Sequence, residues 1–387
     1  MTRRDMLKGV INVASGAALA APMVNRGRFR IFARSANQYS ARTIDLVGRT
    51  TTIDMMGVFN VGSSGTGNDV SDPVSITLAS LQRFKEMGIS VYHGGPGNPL
   101  NRPGAILHFA RWNGLLAHHA DHVMRVDTTA KLNRVKESGK LGVLLGLQNS
   151  THFETVNDVD TFYNLGQRVS QLTYNERNLI GNGCTARRDD GLSDFGVAIV
   201  ERMNELGMAI DVSHSGDRTT LDAIEFSKKP VLITHSNCRA LNPGHPRCKT
   251  DDAITKLAAS GGVLGITNIR AFVNGREPTS LEDVLDHFDH VAKLVGAEHV
   301  GVGSDIGLEA LEGTPEQAES RKRANPTMGF RDRMYIEGLN HPRRVFDLAE
   351  GLIRRKYSDR EIEGMLGGNF RRALMQIWPA SSGLNGA

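Results

Sequence analysis

Eight short apolar runs, each followed by a polar loop and an amphipathic stretch, govern what this 387-residue chain can become. They span residues 51–58, 89–93, 141–148, 169–174, 208–214, 231–235, 262–268 and 300–305. Short, nearly unbroken apolar runs of this kind suit parallel strands buried on both faces. Helical periodicity fills the gaps, as in Asp194–Leu206, with Ser193 placed as N-cap and Gly207 as stop. A second helix is expected at 281–294, capped by Ser280 and followed by Gly296. Eight strand–helix units in a body of this size predict an α/β fold, a closed (β/α)8 barrel of the TIM type, rather than an open doubly wound sheet. No Gly-x-Gly-x-x-Gly follows the first run and no P-loop motif occurs, so dinucleotide and nucleotide triphosphate sites are not indicated. The glycine-rich residues 62–68 read as a loop over the barrel mouth.

Charge excludes one further class. Residues 1–34 carry seven Arg and Lys against Asp5, a net +6 in a chain whose total is +4, so the remainder is −2. A mildly acidic body leaves no electrostatic footprint for nucleic acid. The basic start itself reads as an address: Thr2-Arg3-Arg4-Asp5-Met6-Leu7-Lys8 resembles a twin-arginine export motif, followed by a weakly apolar run and a small-x-small site at Ala18-Leu19-Ala20. That run is too short to span a bilayer. The expected organisation is a signal and basic tail over residues 1–34 and one barrel domain over 45–380, with export to the periplasm or beyond. Cys184, Cys238 and Cys248 lack metal-cluster spacing and read as free or buried thiols. Pairing of Cys238 with Cys248 is the alternative in an oxidising compartment.

Chemistry is expected where the strands end. Met56, His93, Gln148, Tyr174, His214, His235, Asn268 and Asp305 stand at or next to the carboxyl ends of the eight runs, the end on which barrels build their sites. Imidazole, carboxylate and amide groups gathered there can hold a divalent metal and a water. Any one of them alone reads equally as a satisfied core group, but burying the set without partners or a ligand costs several kcal/mol. His118, His119 and His122 lie on a polar helical stretch and read as surface. His152, just past Gln148, reads as a loop residue.

The residues then resemble a known family. Asp211-Val-Ser-His-Ser-Gly-Asp-Arg-Thr-Thr and Lys229-Pro-Val-Leu-Ile-Thr-His-Ser-Asn-Cys-Arg-Ala-Leu resemble the renal (membrane) dipeptidase family of zinc peptidases. So do Leu179-Ile-Gly-Asn-Gly-Cys-Thr, Gly191-Leu-Ser-Asp-Phe-Gly, Gly301-Val-Gly-Ser-Asp and His245-Pro-Arg with Asp251 and Asp252. The resemblance implies a two-zinc centre at a barrel mouth, where a bridging water attacks a dipeptide amide. It makes His214 and His235 ligands of the second zinc, and gives Asp305 to the first zinc and the proton transfer. Arg247 would hold the substrate carboxylate through a bidentate fork. It also implies a possible homodimer.

The chain departs from the family at the first zinc. Met56 and Val58 stand where the family has a His-x-Asp pair, Gln148 replaces the bridging glutamate, and Gly307 replaces an acid. Tyr174 replaces a histidine lining the substrate pocket. Each change removes charge or a good ligand, so the first site is expected to be too weak to fill, unless a one-residue shift brings in Asp54. One zinc is therefore expected rather than two, other divalent metals remaining open. His93, followed by Gly94 and Gly95, is expected either to complete a three-histidine centre with His214 and His235 or to line the pocket.

Three functions follow from this reading. The first is a metal-dependent hydrolase of a small peptide or amide, with Asp305 and Gln148 at the reacting centre and Arg247, Tyr174 and Asn268 against the substrate. The second is an inactive relative that binds peptides or small carboxylates through Arg247. The third is a non-hydrolytic metalloenzyme carrying iron or copper. The retained half of the centre favours the first.

Overall fold

The computed structural model describes residues 27–29, 38–58, 78–97, 99–307 and 312–379. The export motif, the glycine-rich loop and most of residues 57–72 lie outside the described residues. All eight expected strands are present: β1 (Ile53–Asp54), β2 (Val91–Gly94), β3 (Leu141–Leu147), β4 (Val169–Gln171), β5 (Ala209–Asp211), β6 (Leu232–Ser236), β7 (Val263–Ile266) and β8 (Val300–Val302). Each pairs in parallel with the next, and β8 returns to β1 through Val302 opposite Asp54, so the sheet closes into an eight-stranded barrel. A further short strand, Val123–Arg125, pairs with the first half of β3, while β4 takes the second half.

The first run differs most from the sequence expectation. The run 51–58 contributes only Ile53 and Asp54 to the barrel; Gly57–Val58 leaves it to pair with Ile306–Gly307. The break has a local cause. The Asp54 carboxylate accepts the backbone N–H of Met56 and of Ser304, which turns both chains out of the ladder beyond it. The helices match more closely. Asp194–Leu206 begins at Ser193, whose hydroxyl accepts the Gly196 N–H, and ends at Gly207 in the left-handed region. Leu281–Val295 starts in a capping box formed by Ser280 and Asp283.

Alternation along the strands sorts the core into two shells. Leu141, Val143, Leu145, Leu147, Ile210, Ile233, Leu264 and Val300 face the helix layer and pack with Ile199, Met203, Leu285 and Phe288. Ile53, Val91, Leu144, Val169, Ala209, Leu232 and Val263 fill the barrel's floor, which the C-terminal helix Asn369–Ile377 closes with Phe370, Ala373, Leu374 and Ile377. One pleat above this apolar layer the interior turns polar: His93, Gln171, Asp211 and Thr234 are all buried. Glycine at 146 makes room there, since a Cβ would run into the His93 ring at Nε2.

A histidine from the outer layer anchors the loop beyond β6. His287, in the helix Leu281–Val295, accepts the Cys238 N–H at Nδ1 (3.0 Å) and stands 2.8 Å from the Val273 carbonyl through Nε2. With Nδ1 accepting, Nε2 carries the ring's one proton, and a second proton would break the Cys238 bond. Burial depresses His287 to about 4, and burial likewise depresses His152, which packs between Phe153 and Phe162, to about 4.

Two outcomes are expected. Each ring is protonated in the unfolded chain below about 6.5 but stays neutral in the fold down to about 4, so stability is full above the unfolded pKa and falls as the pH drops between these values. The loss approaches about 3 kcal/mol per histidine. Denaturant unfolding at pH 7 and pH 5 checks this, with His287→Leu less stable at pH 7 and shallower in its acid dependence. Separately, Gly146→Ala should lower the melting temperature, and His93→Ala in the same chain should recover part of that loss, a coupling read from a double-mutant cycle.

Candidate metal centre

His214 and His235 meet at the barrel mouth. His214 follows β5 by three residues and His235 ends within β6, and their Nε2 atoms stand 3.0 Å apart. Each ring is fixed from its far side. The His214 Nδ1 lies 2.6 Å from the amide oxygen of Asn175, an atom that can only accept. The His235 Nδ1 lies 2.8 Å from the Thr234 hydroxyl, which donates its own proton to Asp211. Both Nδ1 atoms therefore carry the proton, and both Nε2 atoms present lone pairs to one another. Burial, reinforced by the Arg247 charge, pushes both imidazoles well below the usual histidine range, which disfavours a proton on either lone pair.

Two facing lone pairs repel unless a cation lies between them. Two nitrogens bound to one tetrahedral zinc at 2.0–2.1 Å are about 3.3 Å apart, close to the spacing here. The donor set fits one zinc through these two residues. Among the described residues, no three of His, Cys, Asp and Glu are grouped to hold an ion.

The other candidate residues divide. Asp305, beyond β8, has a left-handed backbone (φ 59°) held by its N–H to the Met56 carbonyl (2.6 Å). Burial raises its carboxyl to about 7 against the opposing pull of Arg247, with Asp54 adding to the rise. Tyr174 stacks on His214, ring centroids 4.1 Å apart and planes at 20°, and burial raises its phenol to about 12. Gln148 gives its amide N–H to the Gly95 carbonyl (2.8 Å), which leaves only its amide oxygen as a metal donor. Met56 is fully buried.

Three expectations change. His93 does not complete a three-histidine group: its Nδ1 bonds the Met55 carbonyl (2.6 Å), and its Nε2 is buried against Gly146 in the polar layer of the interior, without a partner. Asn268 lines a small cavity with Asp54, Leu281, Val284 and Arg344, between the barrel and its helices rather than beside the histidines. Arg247 is fully buried, and its two terminal nitrogens donate to the carbonyls of Ser213 and His235, so the bidentate fork expected for a substrate grips the two histidine loops instead. His152 lies in the turn after β3, as read, with its ring buried in the core and its Nε2 3.1 Å from Gln167. The three cysteines are free thiols, as read, and His118 sits exposed at a helix end.

Sequence reasoning missed Asn175, Thr234, Asp211 and Lys249 as supports. Lys249 is buried beneath the mouth, donating to the Val212 and Ser215 carbonyls (both 2.7 Å) and to Thr220 (3.0 Å); burial and the Arg247 charge lower its ammonium to about 7. The available signal was polar residues at strand positions that should be apolar: Asp211 in Met-Ala-Ile-Asp and Thr234 in Leu-Ile-Thr.

Residues 107–323 match the family model described as membrane dipeptidase (peptidase family M19). Dipeptidase verJ of Clonostachys rogersoniana is 31% identical over 266 residues, covering 68% of this chain and 62% of that protein. The chain thus spans less than two thirds of the length of the curated relatives it matches. An amidohydrolase from Pseudomonas aeruginosa superposes with a TM-score of 0.74 at 26% identity, over 87% of this chain and 99% of that one. The probable dipeptidase PvdM from Pseudomonas aeruginosa, at 19% identity, shares the fold with a TM-score of 0.69 over 87% and 97%. No helix among the described residues is long and apolar enough to cross a membrane. With more than half of its length matched by the family model, and the two histidines paired at the mouth of the barrel, the chain belongs to the membrane dipeptidase family, peptidase family M19.

Proposed function

We propose that this protein is a metal-dependent hydrolase of a small peptide or amide, with one zinc held by His214 and His235. The observation that carries the proposal is the pair of Nε2 atoms facing at 3.0 Å, each ring backed at Nδ1 by its own hydrogen-bonded support. The relatives named as dipeptidase and amidohydrolase support amide chemistry. When bound, the ion supplies Lewis-acid polarisation of a carbonyl and acidifies water.

The chain's own residues then have distinct tasks. Asp305, its carboxyl near 7, takes a proton from the reacting water and returns it to the leaving nitrogen. Tyr174 covers one face of His214 and narrows the mouth beside it. Arg247 holds the two histidine loops at a fixed separation through their carbonyls. Its charge, with that of Lys249 below, acts on both imidazoles and favours a substrate bearing a carboxylate. A second reading, binding without hydrolysis, draws on the absence of a third charged or imidazole ligand grouped with the pair among the described residues.

Metal content per chain, measured by plasma mass spectrometry on protein purified without added metal, separates these readings. About one equivalent of zinc, lost in His214→Ala together with chelator-sensitive amidase activity, is the expected result. Two equivalents would overturn the single-ion reading, iron or copper would favour redox chemistry, and folded protein without metal would favour binding alone. Arg247→Met should lower folding stability by roughly 2–4 kcal/mol, because two buried carbonyls lose their donors. An Arg247 that served only as a substrate clamp would instead raise KM and leave the melting temperature unchanged.

A further inference from the structure

We infer that Asn175 is the positioning residue that makes His214 a metal ligand, an inference that rests on the metal-dependent reading above. Imidazole binds a metal through one nitrogen only if its proton is kept on the other. At His214 the atom that does this is the Asn175 amide oxygen, 2.6 Å from Nδ1. Among the described residues it is the acceptor at that nitrogen, whereas His235 relies on a different device, the Thr234 hydroxyl relayed to the Asp211 carboxylate.

Asn175 is itself held in place. Its backbone carbonyl accepts the N–H (2.9 Å) and the hydroxyl (2.7 Å) of Thr185, closing the loop that runs from Tyr174. The same loop returns to the histidine, because the Cys184 N–H donates to the His214 carbonyl (2.7 Å) and Gly183 bridges Ser215. Tyr174, the preceding residue, lies flat on the imidazole. One loop therefore fixes the ring plane by stacking and its tautomer by a hydrogen bond. The Asn175 contact is at Nδ1, on the far side of the ring from Nε2, so Asn175 acts through His214 and not on the reacting atoms.

Two measurements on the full chain test this. Zinc affinity, read by competition with a chromophoric chelator, should fall roughly 10–100-fold in Asn175→Leu and be kept or tightened in Asn175→Asp, whose carboxylate still accepts from Nδ1. In the metal-free protein, nitrogen NMR of labelled histidine should show His214 protonated at Nδ1 in the wild type and in Asn175→Asp, and a mixture of tautomers in Asn175→Leu. Zinc affinity within twofold of wild type in Asn175→Leu, with the tautomer unchanged, would overturn the inference. Should Asn175→Leu fail to fold, Asn175→Ala carries the same two readouts. Wild-type protein that binds no zinc would sink the metal-dependent reading instead, and the tautomer of His214 would still decide the part played by Asn175.

Discussion

The carboxylate of Asp211, at the end of β5, accepts four hydrogen bonds, and the metal centre depends on where they come from. Two arrive from Ser213, through its backbone N–H (2.9 Å) and its hydroxyl (2.5 Å), and two from Thr234, through its backbone N–H (3.0 Å) and its hydroxyl (2.7 Å). Ser213 precedes His214 and Thr234 precedes His235, so one buried group sets the separation of both rings. A buried carboxylate is tolerable only when its lone pairs are filled in this way. Once they are filled, the Thr234 oxygen has given up its proton and can serve the His235 ring only as an acceptor. The charge of Asp211 thus reaches His235 through a hydroxyl, while Arg247 locks the carbonyl side of the same two loops.

The opposite seam of the barrel repeats the device. Asp54, ending β1, takes the backbone N–H (2.8 Å) and the hydroxyl of Ser304, the residue before Asp305, and the N–H of Met56. Burial raises this carboxyl, with Arg344 at 3.9 Å opposing the rise. The supports of both halves of a family site are therefore present. What differs is the cargo: imidazoles above Asp211, but a buried methionine, Met56, beyond Asp54. Methionine there is a poor ligand for a hard or borderline cation, in keeping with the single ion proposed at the β5–β6 seam.

The barrel was legible because strand length, apolar continuity and the spacing of caps all pointed to one architecture. His214 and His235 were legible because each closes such a strand. His93 closes one too, yet its ring belongs to the interior layer beneath the mouth, and only the pairing with β3 reveals this: His93 lies opposite Leu144, and the next inward position, Gly146, leaves the space the ring fills. Asn175 was missed because nothing in Tyr-Asn-Glu-Arg marks it apart from an ordinary turn; its partner lies 39 residues away. Arg247 was recognised as a residue that grips oxygen atoms in a fork, but the local sequence holds no record that those oxygens are backbone carbonyls.

Electrostatics closes the argument for a cation that is not a proton. Arg247 and Lys249 lie close enough to both imidazoles to oppose any added positive charge, and burial opposes it further. A proton between the two Nε2 atoms would have to overcome both effects while gaining one short hydrogen bond. A divalent ion faces the same opposition but gains two coordinate bonds, and it brings water or substrate oxygen with it. Burial and the neighbouring charges disfavour a protonated state of the pair and favour free lone pairs. Such an arrangement has no structural value to the barrel, since two apolar side chains at these positions would pack without leaving lone pairs to satisfy. A cation held between the two rings, as proposed above, would account for the cost of keeping it.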